Sequence, residues 1–73
     1  MAKRVGMTTD LYERKSYWQN QYPSLHNWTV VSRGLTYEQA QQKEEYYEML
    51  GYIRGAGGQY VSGYVWSIYT FEY

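Results

Sequence analysis

A chain of 73 residues without a single cysteine must hold itself together with side-chain bulk alone, and here that bulk is aromatic: eleven tyrosines, three tryptophans and one phenylalanine. A domain this small buries only about 60% of the surface its unfolded form exposes, so a few large rings have to make most of the core. The aromatic share, 21%, exceeds the charged share, 19%, which excludes the low-hydrophobicity, high-charge route to disorder. Roughly two thirds of the rings are expected inside, leaving the rest for other work. The absence of cysteine also excludes a disulfide framework, a thiolate zinc site and a cysteine nucleophile, and the lone His26 excludes a multi-histidine metal site. Any metal must therefore find oxygen ligands. No apolar run approaches the roughly 20 residues of a membrane span, and residues 1–6 lack the hydrophobic stretch of a signal peptide. The expectation is one cytoplasmic domain with no membrane partner, a monomer or a small homo-oligomer.

Charge sums to zero but is unevenly placed. Residues 1–34 carry Lys3, Arg4, Arg14, Lys15 and Arg33 against Asp10 and Glu13, a balance of +3. Residues 35–73 carry Lys43 and Arg54 against Glu38, Glu44, Glu45, Glu48 and Glu72, a balance of −3. A nucleic-acid binder needs a basic face, so this pattern suits one only where the fold keeps the two halves apart.

Local signals predict an α+β domain: a small, mainly antiparallel three-stranded sheet flanked by two helices, in the order β-α-β-α-β. After a short strand ending near Gly6, Thr8, Thr9 and Asp10 form a cap cluster for a helix that Pro23 ends. Residues 28–32, Trp-Thr-Val-Val-Ser, read as a strand between Asn27 and Gly34. Thr36 and Gln39 match a capping box for a helix over residues 37–50, which Gly51 should stop. Residues 54–58 are glycine-rich and predict a connecting loop, and residues 60–71 predict one long strand with a bulge at Gly63. Glu44, Glu45 and Glu48 first suggest a solvated helix face, and His26 a surface residue, with cation binding and phosphate contact as the sharper alternatives.

The segment Arg4-Val5-Gly6-Met7-Thr8-Thr9-Asp10-Leu11-Tyr12-Glu13-Arg14 resembles the second motif of the GIY-YIG nuclease family. In that family a Tyr-Ile/Val-Gly strand leads through Thr and Asn/Asp-Leu into a helix bearing a catalytic arginine. Gly6, Thr8, Thr9, Asp10, Leu11 and Arg14 match in spacing. Ala40-Gln41-Gln42-Lys43-Glu44 is similar to the family's later helix, where the glutamate four residues after an alanine binds the metal. Two positions depart from the pattern: Arg4 replaces the tyrosine of the strand, and Trp18 stands where the family has histidine or tyrosine. The family's first strand has its counterpart at the opposite end of this chain, where Trp66-Ser67-Ile68-Tyr69-Thr70-Phe71 looks like the Gly-Ile-Tyr segment. The resemblance implies a circularly permuted single domain over residues 1–73. In it, residues 64–72 would pair antiparallel with residues 3–7, and the termini would lie side by side.

The resemblance also implies the chemistry, metal-dependent hydrolysis of phosphodiester bonds in DNA. Glu44 would hold one Mg²⁺ or Mn²⁺, Arg14 would bind the scissile phosphate, Tyr69 would position or deprotonate the attacking water, and Arg4 would be the cation that assists Tyr69. Aromatic faces stack on unpaired bases, which favours single-stranded DNA as the partner. Tyr17, Trp18, Lys15 and His26 are the candidate nucleic-acid contacts. The rival expectation, from another class, is a non-catalytic binding or inhibitory module that adds its aromatic-rich sheet to a partner's edge.

Overall fold

A computed structural model describes residues 2–54 and 65–73. The elements are β1 (Lys3–Thr8), α1 (Leu11–Gln21), β2 (His26–Leu35), α2 (Tyr37–Met49), β3 (Ile53–Arg54) and β4 (Trp66–Glu72). They form a four-stranded mixed sheet in the order β2-β4-β1-β3. The α+β class is as expected, but the three-stranded sheet is corrected to four strands by β3, which runs parallel to β1 with Arg4 opposite Ile53 and Val5 opposite Arg54.

The missed strand follows from how α2 ends. Gly51 takes φ 100, its N–H donates to the Glu48 carbonyl, and the Tyr52 N–H donates to the Tyr47 carbonyl, the bond pair of a left-handed helix stop. The rings of Tyr47 and Tyr52 meet edge to face at 5.2 Å and clamp the turn. The chain therefore leaves the helix aimed along β1 instead of out into solvent. Of the predicted loop over residues 54–58, Arg54 belongs instead to β3, while residues 55–58, the start of the predicted long strand and the Gly63 bulge lie outside the described residues.

The helix ends obey their capping residues. Asp10 accepts from the Glu13 N–H at 3.1 Å to open α1, and Tyr22 turns extended one residue before Pro23, where helical backbone is sterically disfavoured. Thr36 and Gln39 exchange both bonds of the capping box, at 3.0 and 3.1 Å. Strand β2 outruns its predicted bounds of 28–32 because Asn27 (φ 54) and Gly34 (φ 71) are taken up as irregularities within it, and its register with β4 shifts three times.

The pairing expected of the chain's two ends is present. Strand β4 lies antiparallel to β1 from Lys3 opposite Glu72 to Thr8 opposite Ser67, and Ala2 and Tyr73 exchange backbone hydrogen bonds at 3.0 Å. Alternation along β4 divides the core between two faces. Trp66 and Ile68 pack with Val5, Met7 and Ala40 under α2, while Tyr69 and Phe71 pack with Trp18 under α1. The two clusters and the rings packed on them take up ten of the thirteen aromatic side chains among the described residues, more than the two thirds expected from size alone. The sheet thus stands between α1 and the acidic helix α2, while strands from the two halves of the chain alternate within it, with Lys3 opposite Glu72. Among the described residues no helix is long and apolar enough to cross a membrane.

Candidate active site

At Gly6 the two ends of the chain cross closely. This residue pairs with Tyr69 across the sheet, and a Cβ built on Gly6 would fall inside the Tyr69 phenol, so the ring lies flat over the glycine. Only a residue without a side chain permits this crossing. Trp28 stacks on the Tyr69 ring at 4.6 Å, and Trp18 Nε1–H donates to its hydroxyl at 2.7 Å in a buried bond. An indole N–H has no acceptor role, so the phenol oxygen accepts from Trp18 and the phenol's own proton must point elsewhere. Burial pushes the Tyr69 pKa up to about 12, against the opposing pull of the Trp18 bond.

Three charges reach this hydroxyl. Arg14 and Arg4 ease its ionisation and Glu44 opposes it, which places all three within electrostatic range of Tyr69. Arg14, one turn into α1, lies 5.2 Å from the Tyr17 ring centre, and its Nε is buried without a partner among the described residues. Arg4 sits in a box of rings, 4.9 Å from Trp18, 5.6 Å from Tyr73 and 5.9 Å from Tyr22. Its terminal nitrogen donates to the Tyr73 hydroxyl at 3.2 Å and the Tyr22 hydroxyl at 3.5 Å, and its Nε is likewise unpartnered.

Glu44 is not on a solvated face. It shares a helix stripe with Ala40, is 2% exposed, and its Oε1 accepts from Arg54 Nε at 2.6 Å. Its Oε2 is buried and unpartnered among the described residues. Burial drives the Glu44 pKa above the ordinary carboxylate range, Arg54 opposes the rise, and Glu48 and Glu45 add to it. A carboxyl whose folded pKa is raised contributes stability in its protonated form at low pH and loses it as pH rises through the folded pKa. Replacing Glu44 with Gln removes this loss. The melting temperature of Glu44→Gln relative to wild type should therefore climb between pH 4 and pH 8, as thermal melts across that range will show.

Tyr69 and Arg4 stand on the α1 side of the sheet and Glu44 on the α2 side with Ala40, so the link that joins Tyr69 to Arg14, Arg4 and Glu44 is electrostatic, and Arg4 is caged by rings instead of free to move. The structure treats the predicted nucleic-acid contacts unevenly. Tyr17 is 42% exposed beside Arg14, and Lys15 is half-buried with its ammonium 6.0 Å from Trp28. Trp18 is corrected: at 7% exposure it is a core ring and hydrogen-bond donor, with no face for a base, because α1 turns it onto Phe71 and Tyr69. His26 stands apart from these residues. It starts β2 opposite Glu72, at the end of β4 away from the β1–α1 turn, with Nδ1 2.8 Å from the Ser24 carbonyl. Sequence reasoning missed Arg54, whose only signal was a lone cation after an acidic helix. Trp18→Phe should cost about 1–2 kcal/mol through the lost buried bond and lost volume, lowering the melting temperature by roughly 4–8 °C per kcal/mol.

For a divalent cation the fit rests on one carboxylate. Glu44 Oε2 is a buried oxygen donor with no hydrogen-bond partner among the described residues, and among these no cluster of three or more acidic or imidazole side chains exists to add further ligands. A cation bound to a single carboxylate and otherwise to water and substrate oxygen is a normal arrangement for Mg²⁺. Comparison with family models, curated proteins and solved structures returned no match to this chain.

Proposed function

We propose that this chain is a metal-dependent endonuclease of the GIY-YIG type in permuted order, cleaving DNA in the cytoplasm with single strands favoured. One observation supports this above the others. The buried side-chain atoms left unpartnered among the described residues are Arg4 Nε, Arg14 Nε and Glu44 Oε2. Each such atom costs stability, and native proteins keep few of them without a use. Guanidinium donors and a carboxylate oxygen within electrostatic range of one phenol complement a phosphate and the cation that accompanies it.

Hydrolysis joins the oxygen of water to phosphorus, breaks the bond from phosphorus to one sugar oxygen, passes a proton of the water through solvent to that departing oxygen, and builds negative charge on the phosphate in the transition state. Arg14 would meet that charge with its planar fork. Glu44 Oε2 would hold Mg²⁺ or Mn²⁺, which supplies Lewis-acid neutralisation of the phosphate when bound. With a pKa of about 12, Tyr69 is protonated at neutral pH, and of its two expected roles positioning is favoured over deprotonation. Its hydroxyl donates, held by Trp18, and Arg4 supports it through charge alone. Tyr17 offers an exposed ring beside Arg14 for one unpaired base.

Incubation of the protein with end-labelled single-stranded and double-stranded DNA in Mg²⁺, Mn²⁺ or chelator tests the reading. Metal-dependent cleavage that Glu44→Gln lacks supports it, and a folded protein inert with every metal sinks it. The rival binding module draws support from β2, whose outer edge is unpaired among the described residues. Its three register shifts break the regular ladder an added strand needs, which favours the nuclease.

A further inference from the structure

Arg54 stands against the one carboxylate that the proposed chemistry assigns to a cation. Its Nε is 2.6 Å from Glu44 Oε1, and its terminal nitrogen is 3.9 Å from Oε1 of Glu48, one turn further along α2. The two acceptors differ sharply in setting. Glu44 is 2% exposed and Glu48 52%, while the Arg54 side chain is 30% exposed and so reaches from the buried carboxylate to solvent. Among the described residues the strand carrying Arg54 pairs with β1 at Ile53 and Arg54, which places the Arg54 backbone opposite Val5.

We infer that Arg54 is an internal occupant of the Glu44 cation site, which a divalent cation must displace toward Glu48 in order to bind. A buried carboxylate without a counter-charge is strongly disfavoured, so the empty state needs Arg54. A divalent cation at Glu44 supplies that counter-charge itself and repels the guanidinium. Glu48 then receives it at a solvent-exposed position one helical turn away. Arg54 in this way lowers cation affinity without abolishing it. The inference rests on Glu44 being the cation ligand.

The test is calorimetric titration of the protein with Mn²⁺ alone at pH 8, without DNA. Arg54→Gln should bind Mn²⁺ about tenfold more tightly than wild type, because the competing state is removed. Independently of any variant's folding, titration of the wild type with Mg²⁺ should move the Arg54 Nε–H resonance from an ion-paired to a solvated position. That resonance is assigned by its absence in Arg54→Lys. Binding that Glu44→Gln abolishes, with unchanged or weaker affinity in Arg54→Gln and an unmoved Arg54 signal, overturns the displacement while sparing the metal site. Binding that Glu44→Gln leaves intact, or no binding at all, overturns both.

Discussion

Arg14→Ala is expected to lower DNA cleavage by about 10²–10³-fold at saturating metal, the usual loss when one donor to a developing oxyanion is removed. The fold should survive it. Arg14 Nε has no partner among the described residues, so truncation removes a buried donor that nothing satisfies. Arg14→Lys should not restore the rate, because an ammonium lacks the planar fork that grips two phosphate oxygens at once. Single-turnover cleavage read beside a thermal melt separates the two effects. A variant that melts like wild type and keeps a tenth or more of its rate would remove Arg14 from the phosphate site.

Gly6→Ala should be the most damaging glycine substitution among the described residues. The added methyl would occupy the space of the Tyr69 phenol, whose ring is fixed by stacking on Trp28 and by the Trp18 bond. The ring has no free direction in which to yield, so the cost should reach the upper part of the overpacking range, about 3 kcal/mol, a large share of a small domain's stability. Tyr69→Phe removes the hydroxyl oxygen, the atom nearest the new methyl, and should recover part of the loss. Denaturant melts of the two single variants and the double variant measure the coupling. Additive losses would show that glycine serves the backbone there and not the ring.

Much of the local structure is legible in the residues. Asp10, Thr36 with Gln39, Pro23 and Gly51 set the helix ends because caps, ring sterics and left-handed backbone act over a few positions. The antiparallel pairing of β1 with β4 was readable only through the family resemblance, since no local rule relates residue 6 to residue 69. Strand β3 was not readable: two residues carry no periodicity, and its place depends on how Tyr52 packs on Tyr47. Trp18 misled in the other direction. Helical spacing put it on an aromatic face, but whether such a face meets solvent or a sheet is decided by the sheet.

By itself, then, the amino-acid sequence determined the class of fold, the two helices and their caps, the absence of thiol chemistry, and a core made of rings. Those follow from composition and from interactions a few residues long. Only the tertiary structure decided that Glu44 is buried and paired with Arg54, that Trp18 donates to Tyr69, and that His26 stands apart. Each of these turns on which groups lose their water and what they meet when they do. That is settled by contacts between segments ten to fifty residues apart, and no short-range pattern encodes it.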